Sequence, residues 1–330
     1  MPVIERGSFT YPAPNLPDAC RAIIRRSGIA ARHQNAEGCA PYIRSNVTLA
    51  LLVLLKINVT VIIFGIGLDS TPRDAARLFR HPALLLRSLL AMYVLVPLAA
   101  FALVKALPLA PGVEAALLVL AVSAGAPLLP RKLLGIGDGA YIFSLVVISS
   151  VLAIVLVPVW LAVIGPLFPR LPPLAPERAA IVLAESFFLP LVAGMIVRRL
   201  FPKAAAWAGG RLIGLAGLVL AASALGLMVL NWHVVLEARW TGILTLAALI
   251  VLSLAIGHLV GGPEPDDRTA LAIACATRHI GIAVLVATSV PGPRTAVVIA
   301  IYIAVSLLIT LPYMRWRRAV AARNKVTAAA

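Results

Sequence analysis

SAGAPLLPRK at residues 123–132 and CATRHIGIA at residues 275–283 decide how this chain is read. Each interrupts an apolar segment, roughly 113–134 and 269–290, with helix breakers and cations. Unwound backbone inside a membrane exposes N–H and C=O groups that lipid does not satisfy, so it persists only against protein or a water-filled cavity. A cation there needs solvation or a partner. Pro127 and Pro130 remove two amide donors from the first interruption, and Gly281 relaxes the backbone in the second. Two interruptions about half a chain apart predict the discontinuous helices of an inverted-repeat transporter, with its site near the bilayer midplane.

Composition supports a membrane solvent. The 330 residues are 61% hydrophobic with a mean hydropathy of +0.99, and only 13% are charged. A soluble domain carries about twice that charge. The net charge of +16 comes from 29 Lys and Arg against 13 Asp and Glu. Most of these cations sit in short loops and tails beside apolar blocks, which fits the positive-inside bias and contact with anionic membrane lipids rather than nucleic acid. Cys20, Cys39 and Cys275 form neither a disulfide framework nor a zinc set, and no cofactor or resident metal is expected.

Nine spans are expected, at approximately 48–68, 83–107, 113–134, 140–161, 178–197, 212–231, 240–260, 269–290 and 295–314. Pro- and Gly-rich turns separate them. Arg73, Arg77 and Arg80 follow the first span, Arg198, Arg199, Lys203 and Arg211 the fifth, and Arg315, Arg317, Arg318, Arg323 and Lys325 the ninth. These odd-numbered exits share one side, predicted to be cytoplasmic, so the chain is read as a multi-pass cell-membrane protein with a cytoplasmic C-terminus. Six arginines before residue 45 pull the N-terminal tail toward the same side, against the odd span count, and its side stays open.

The expected organisation is a basic tail (1–45), a first repeat of four spans (46–168), a connector with a linking span (169–206), a second repeat (207–314) and a basic C-terminal tail (315–330). Spans one to four match spans six to nine in order, and the third member of each set is the interrupted one. The intervening fifth span inverts the second set. The fold class is therefore an all-α polytopic membrane protein of about nine helices in an inverted repeat with two unwound crossing helices.

Several stretches between Asn58 and Tyr313 resemble the bile acid:sodium symporter family: Phe64-Gly65-Ile66-Gly67-Leu68 followed by Arg80-His81-Pro82, then Val96-Pro97-Leu98, Gly137-Asp138-Gly139-Ala140, and Thr277-Arg278-His279-Ile280-Gly281-Ile282-Ala283. The resemblance implies a core and a panel domain, two helices crossing at unwound centres, and secondary transport of organic anions. The chain departs from the family pattern where sodium is usually held. Leu128 and Leu129 stand where the first crossing usually has Ser and Asn. Ala274 stands in place of the second crossing's carboxylate, and Arg278 and His279 in place of its amides. A hard cation wants several oxygen ligands, so the usual sodium sites are expected to be absent.

The candidate substrate-binding residues are Thr277, Arg278, His279 and Gly281 at the second crossing, with Pro127, Pro130, Arg131 and Lys132 at the first. Arg278 is read as a fixed positive charge replacing a bound sodium and attracting an anionic substrate, helped by half-helix dipoles. Arg131 and Lys132 act similarly or are topology signals near a helix end. His279 offers proton coupling, or is a neutral imidazole bonded to backbone. A small organic anion is the expected partner. A non-transporting receptor on the same fold is the alternative. An enzyme is not expected, because no nucleophile–base pair or phosphate-cradling loop is visible.

Overall fold

Proline decides where many of these helices begin. Pro82, Pro111, Pro202 and Pro265 each occupy a first helical position, where a missing N–H removes no hydrogen bond and the fixed φ is already helical. The structure is a computed structural model and describes residues 32–69, 81–123, 139–167, 177, 181, 184–278, 283 and 294–329. Its helices are α1 (Arg32–Leu68), α2 (Pro82–Leu90), α3 (Val96–Ala106), α4 (Pro111–Val122), α5 (Gly139–Leu167), α6 (Leu189–Leu200), α7 (Pro202–Leu230), α8 (Trp232–Glu237), α9 (Arg239–Val260), α10 (Pro265–Ala276) and α11 (Arg294–Ala329). Among the described residues there is no strand. The chain divides into two compact units, Met1–Leu49 and Ala50–Ala330, and both interruptions fall in the second.

Five helical stretches are long and apolar enough to cross a bilayer: Asn46–Leu68, Pro82–Ala106, Pro202–Leu230, Arg239–Val260 and Arg294–Arg323. Large apolar side chains cover their outer faces, among them Leu86, Leu218, Trp240, Leu259 and Leu308. Such a surface suits lipid and would aggregate in water. The chain is a multi-pass membrane protein. The expected starts and stops of these spans hold to within a few residues, except that α7 and α11 extend well beyond their apolar blocks. Helix α1 also begins earlier than the expected tail boundary at residue 45, through good helix formers such as Gln34, Ala36, Glu37 and Ala40.

Two π turns, Ala91–Leu95 and Ala184–Phe188, each precede a proline, Pro97 and Pro190. The first joins α2 to α3. Val96 N–H bonds Ala91 O there, one residue further back than in an α-helix. Pro97 has no N–H to give the next carbonyl. Met92 O and Tyr93 O are consequently open to donors from other helices.

Close helix crossings rest on glycine. A Cβ on Gly67 would lie 2.9 Å from Gly194 Cα, and one on Gly194 would lie 2.9 Å from Gly67 Cα, so α1 and α6 touch backbone to backbone. Gly257 brings α9 equally near α10, where an added Cβ would meet Ala272 Cα at 2.5 Å. Small residues permit this approach, and dispersion replaces the hydrophobic drive that lipid withholds. Helix α11 packs on α4, α7, α9 and α10, leaving α4 and α10 inside the bundle.

Candidate substrate site at the interrupted helices

The two inner helices have the same construction. Each has 12 residues and starts at proline; α10 begins 154 residues after α4 (111 to 265) and ends 154 residues after it (122 to 276). Every residue from Ala115 to Val122, and from Thr269 to Ala276, is buried. A helix apolar on all faces belongs inside a bundle. Both stop where the sequence places the interruptions. Ser123 donates its backbone N–H and its hydroxyl to Val119 O (3.0 and 2.6 Å), and Thr277 does the same to Ile273 O (2.9 and 2.7 Å). The hydroxyl residue at each end thus doubles the bond to the carbonyl four residues back, which satisfies one end carbonyl and exposes the next ones.

The two helices run inward from opposite ends of α11. At the α4 start, Arg294 Cβ lies 3.4 Å from the point where Gly112 would carry a Cβ. At the α10 start, Arg317 donates from Nε to Thr269 Oγ1 (2.8 Å) and from Nη2 to Pro265 O (2.9 Å). Arg294 and Arg317 are ~34 Å apart along a helix rising 1.5 Å per residue. Between them, ~12 Å beyond Arg294, Tyr302 donates its hydroxyl to Ala276 O, one of the exposed end carbonyls of α10.

Arg278 follows directly. It is 1% exposed, the largest of the fully buried side chains, and its φ of +26° lies in the left-handed region. A non-glycine residue there carries about 1–3 kcal/mol of strain, which persists when its surroundings over-determine it. Arg278 Nη1 donates to Met92 O at 2.9 Å, the carbonyl released by the π turn and Pro97. Tyr93 O, its neighbour, accepts from Trp160 Nε1 at 3.1 Å, and Tyr93 Oη donates to Ser149 O at 2.7 Å. Met92 lies ~15 Å along the second span from Pro82 and ~21 Å from Ala106. Both measures put the guanidinium deep within the bundle.

Arg278 Nε and Nη2 have no hydrogen-bond partner among the described residues. The titratable neighbours that influence the guanidinium are Tyr302, Cys275 and Tyr93, with no carboxylate among them. A guanidinium stays protonated in proteins. Among the described residues the site therefore presents one buried positive charge, one nitrogen held by backbone and two nitrogens without a partner on one edge. That edge has the fork geometry that receives a carboxylate or phosphate in two parallel bonds.

Of the residues singled out from sequence, Thr277 and Arg278 sit together at the end of α10. His279, Gly281, Pro127, Pro130, Arg131 and Lys132 lie outside the described residues. Lys56 is exposed, whereas Asn58 is buried and donates to Ala216 O at 2.6 Å, joining α1 to α7. Glu185, Trp232 and His233 are exposed. Asn231 is buried and its side chain donates back to Leu227 O at the end of α7. Sequence reasoning missed Met92, Tyr93, Trp160 and Tyr302. The signal available for Met92 and Tyr93 was Pro97 inside an apolar span, a residue that must leave a carbonyl without its helical donor.

The family model described as Sodium Bile acid symporter family matches residues 56–241, more than half of the chain. The chain belongs to the sodium bile acid symporter family. A Bacillus subtilis (strain 168) protein named "Uncharacterized sodium-dependent transporter YocS" is 26% identical over 258 residues, covering 75% of this chain and 78% of that protein. The chain is thus a membrane transporter rather than an enzyme. The matched region includes Met92, Tyr93, Ser123, Asn58 and the Gly67–Gly194 crossing. Arg278 lies beyond it, within the second interruption.

Proposed function

We propose that this chain is a secondary transporter that moves a small organic anion by alternating access, with the charge of its site built on Arg278 instead of on bound sodium. The observation that carries this reading is a guanidinium that is fully buried and that, among the described residues, has no carboxylate neighbour and keeps two nitrogens on one edge without a partner. An unpaired buried charge is costly, so a site that retains one needs an anion during part of its cycle.

The spans are nine in an inverted repeat, residues 46–168 pairing with 207–314 around a linking span at 169–206, with basic tails at 1–45 and 315–330. The constant 154-residue offset between α4 and α10, and their opposed directions along α11, support it. The C-terminus is cytoplasmic and the membrane is the cell membrane, as the arginines after the odd-numbered spans favour. His279, Gly281, Pro127, Pro130, Arg131 and Lys132 complete the site from the two unwound segments, His279 offering a proton for coupling.

The Bacillus protein's name favours a second reading, sodium coupling. Counterflow and uptake in proteoliposomes separate the two. The tethered-charge reading expects uptake of anions to be unchanged when sodium is replaced by potassium on both sides, and to be abolished in Arg278→Gln. Uptake that collapses without sodium supports the second reading and removes the first.

A further inference from the structure

A second set of cations lies away from Arg278, at the opposite end of α10, where α9 turns into it and α2 begins. Gly262, in that turn, has φ +90° and no side chain. Arg268 Nε donates to Gly262 O at 2.5 Å. Arg87 Nη1 approaches within 3.9 Å of the point where Gly262 would carry a Cβ. Two guanidiniums, from α2 and α10, therefore flank one glycine. Between them lies an open groove of about 510 Å³ lined by Arg87, Leu259, Val260, Gly262, Pro263 and Arg268. Among the described residues the lining has two positive charges and no carboxylate. Glu264, Asp266 and Asp267 belong to the same turn and to the start of α10, but none of them lines this groove among the described residues; Asp266 lines a different cavity, with His258, Arg268 and Arg317.

The rest of the lining is apolar; Leu259 and Pro263 face outward, whereas Val260 is half-buried and Gly262 buried. Leu259 is 81% exposed on the helix face that a bilayer would cover, and Val260 follows it at the end of α9. The groove thus offers charge at the level of the headgroups and, continuous with it, a hydrocarbon surface below. A free inorganic anion would use only the first, whereas an amphiphile with an anionic head uses both.

The geometry points to a binding site for an anionic phospholipid, its phosphate held between Arg87 and Arg268 beside Gly262 and its acyl chains lying along Leu259. The site is separate from Arg278 and needs only that the protein be membrane-embedded. The two arginines repel each other across the turn, and a bound phosphate relieves that repulsion and clamps α2 to the α9–α10 turn. Basic pockets between membrane helices recognise lipid headgroups in this way.

The test is native mass spectrometry of the full-length protein taken from nanodiscs of phosphatidylcholine mixed with phosphatidylglycerol. The wild-type protein should retain phosphatidylglycerol preferentially, and Arg87→Gln, which removes no hydrogen bond among the described residues, should lower that retention about fivefold, the loss expected for one arginine at an anionic surface. Arg268→Gln should do likewise, and Leu259→Ser should weaken retention without altering charge. Arg211→Gln, on the exposed face of α7, serves as the control and should change nothing. Equal retention of both lipids by the wild type, or unchanged retention in Arg87→Gln, overturns the proposal. Competition by glycerol phosphate at concentrations matching the lipid would identify a soluble-anion site and equally overturn it.

Discussion

Replacing Arg278 by methionine separates a residue that holds the fold from one kept for its charge. The substitution preserves much of the side-chain volume and removes the guanidinium. Removal relieves a buried charge whose effective penalty is several kcal/mol, and leaves Met92 O without its donor, at about 1–3 kcal/mol. The positive φ at position 278 is unaffected. The balance is a stability change between about zero and +3 kcal/mol, so the thermal unfolding midpoint in detergent should hold or rise. Substrate binding should move the other way. Two charge-assisted hydrogen bonds from Nε and Nη2, at about 1.5–3 kcal/mol each, make the expected loss of affinity about hundredfold or more. Arg278→Lys keeps the charge without the fork and should recover part of it. Scanning fluorimetry and proteoliposome uptake on the same preparations give both readouts. A sharply lowered midpoint with normal uptake by the remaining folded protein would show that Arg278 is a structural strut, and would refute the reasoning.

Other substitutions test the frame around the site. Gly67→Ala should lower stability by about 1–3 kcal/mol, because the new methyl meets the α6 backbone rather than a side chain that can rotate away. Gly194→Ala should do the same, and the double variant should be non-additive, because both substitutions act on one crossing. Gly257→Val should separate α9 from α10 and reduce the monodisperse fraction on size-exclusion chromatography. Tyr302→Phe leaves Ala276 O without its donor at the end of α10, which should accelerate hydrogen exchange in residues 273–277 more than elsewhere and destabilise by about 1–3 kcal/mol. Asn58→Leu removes a buried side-chain donor that joins α1 to α7 and should cost about 1 kcal/mol, read as a lower unfolding midpoint.

The interruptions were legible because helix stops are local. Val122 and Ala276 end their helices within a residue or two of where SAGAPLLPRK and CATRHIGIA predict it. Arg278 was legible for a similar reason: a cation inside an apolar block is conspicuous wherever it points. Its partner was not. The Met92 carbonyl is 186 positions away in sequence and becomes an acceptor only because Pro97 and a π turn leave it without its own helical donor. Tyr302 is an ordinary residue of an apolar span until its hydroxyl meets the end of α10.

By itself, then, the sequence determined that the chain lies in a membrane, where its five long apolar helices fall and where α4 and α10 stop, because hydropathy, proline and glycine act within a turn or two of their own position. Only the tertiary structure decided which backbones touch at Gly67 and Gly194, that α4 and α10 enter from opposite ends of α11, and that the charge of Arg278 is held on one nitrogen, with two that have no partner among the described residues. Those outcomes depend on contacts between residues far apart in the chain, which hydropathy and turn chemistry do not encode. Close packing of the assembled bundle selects among them.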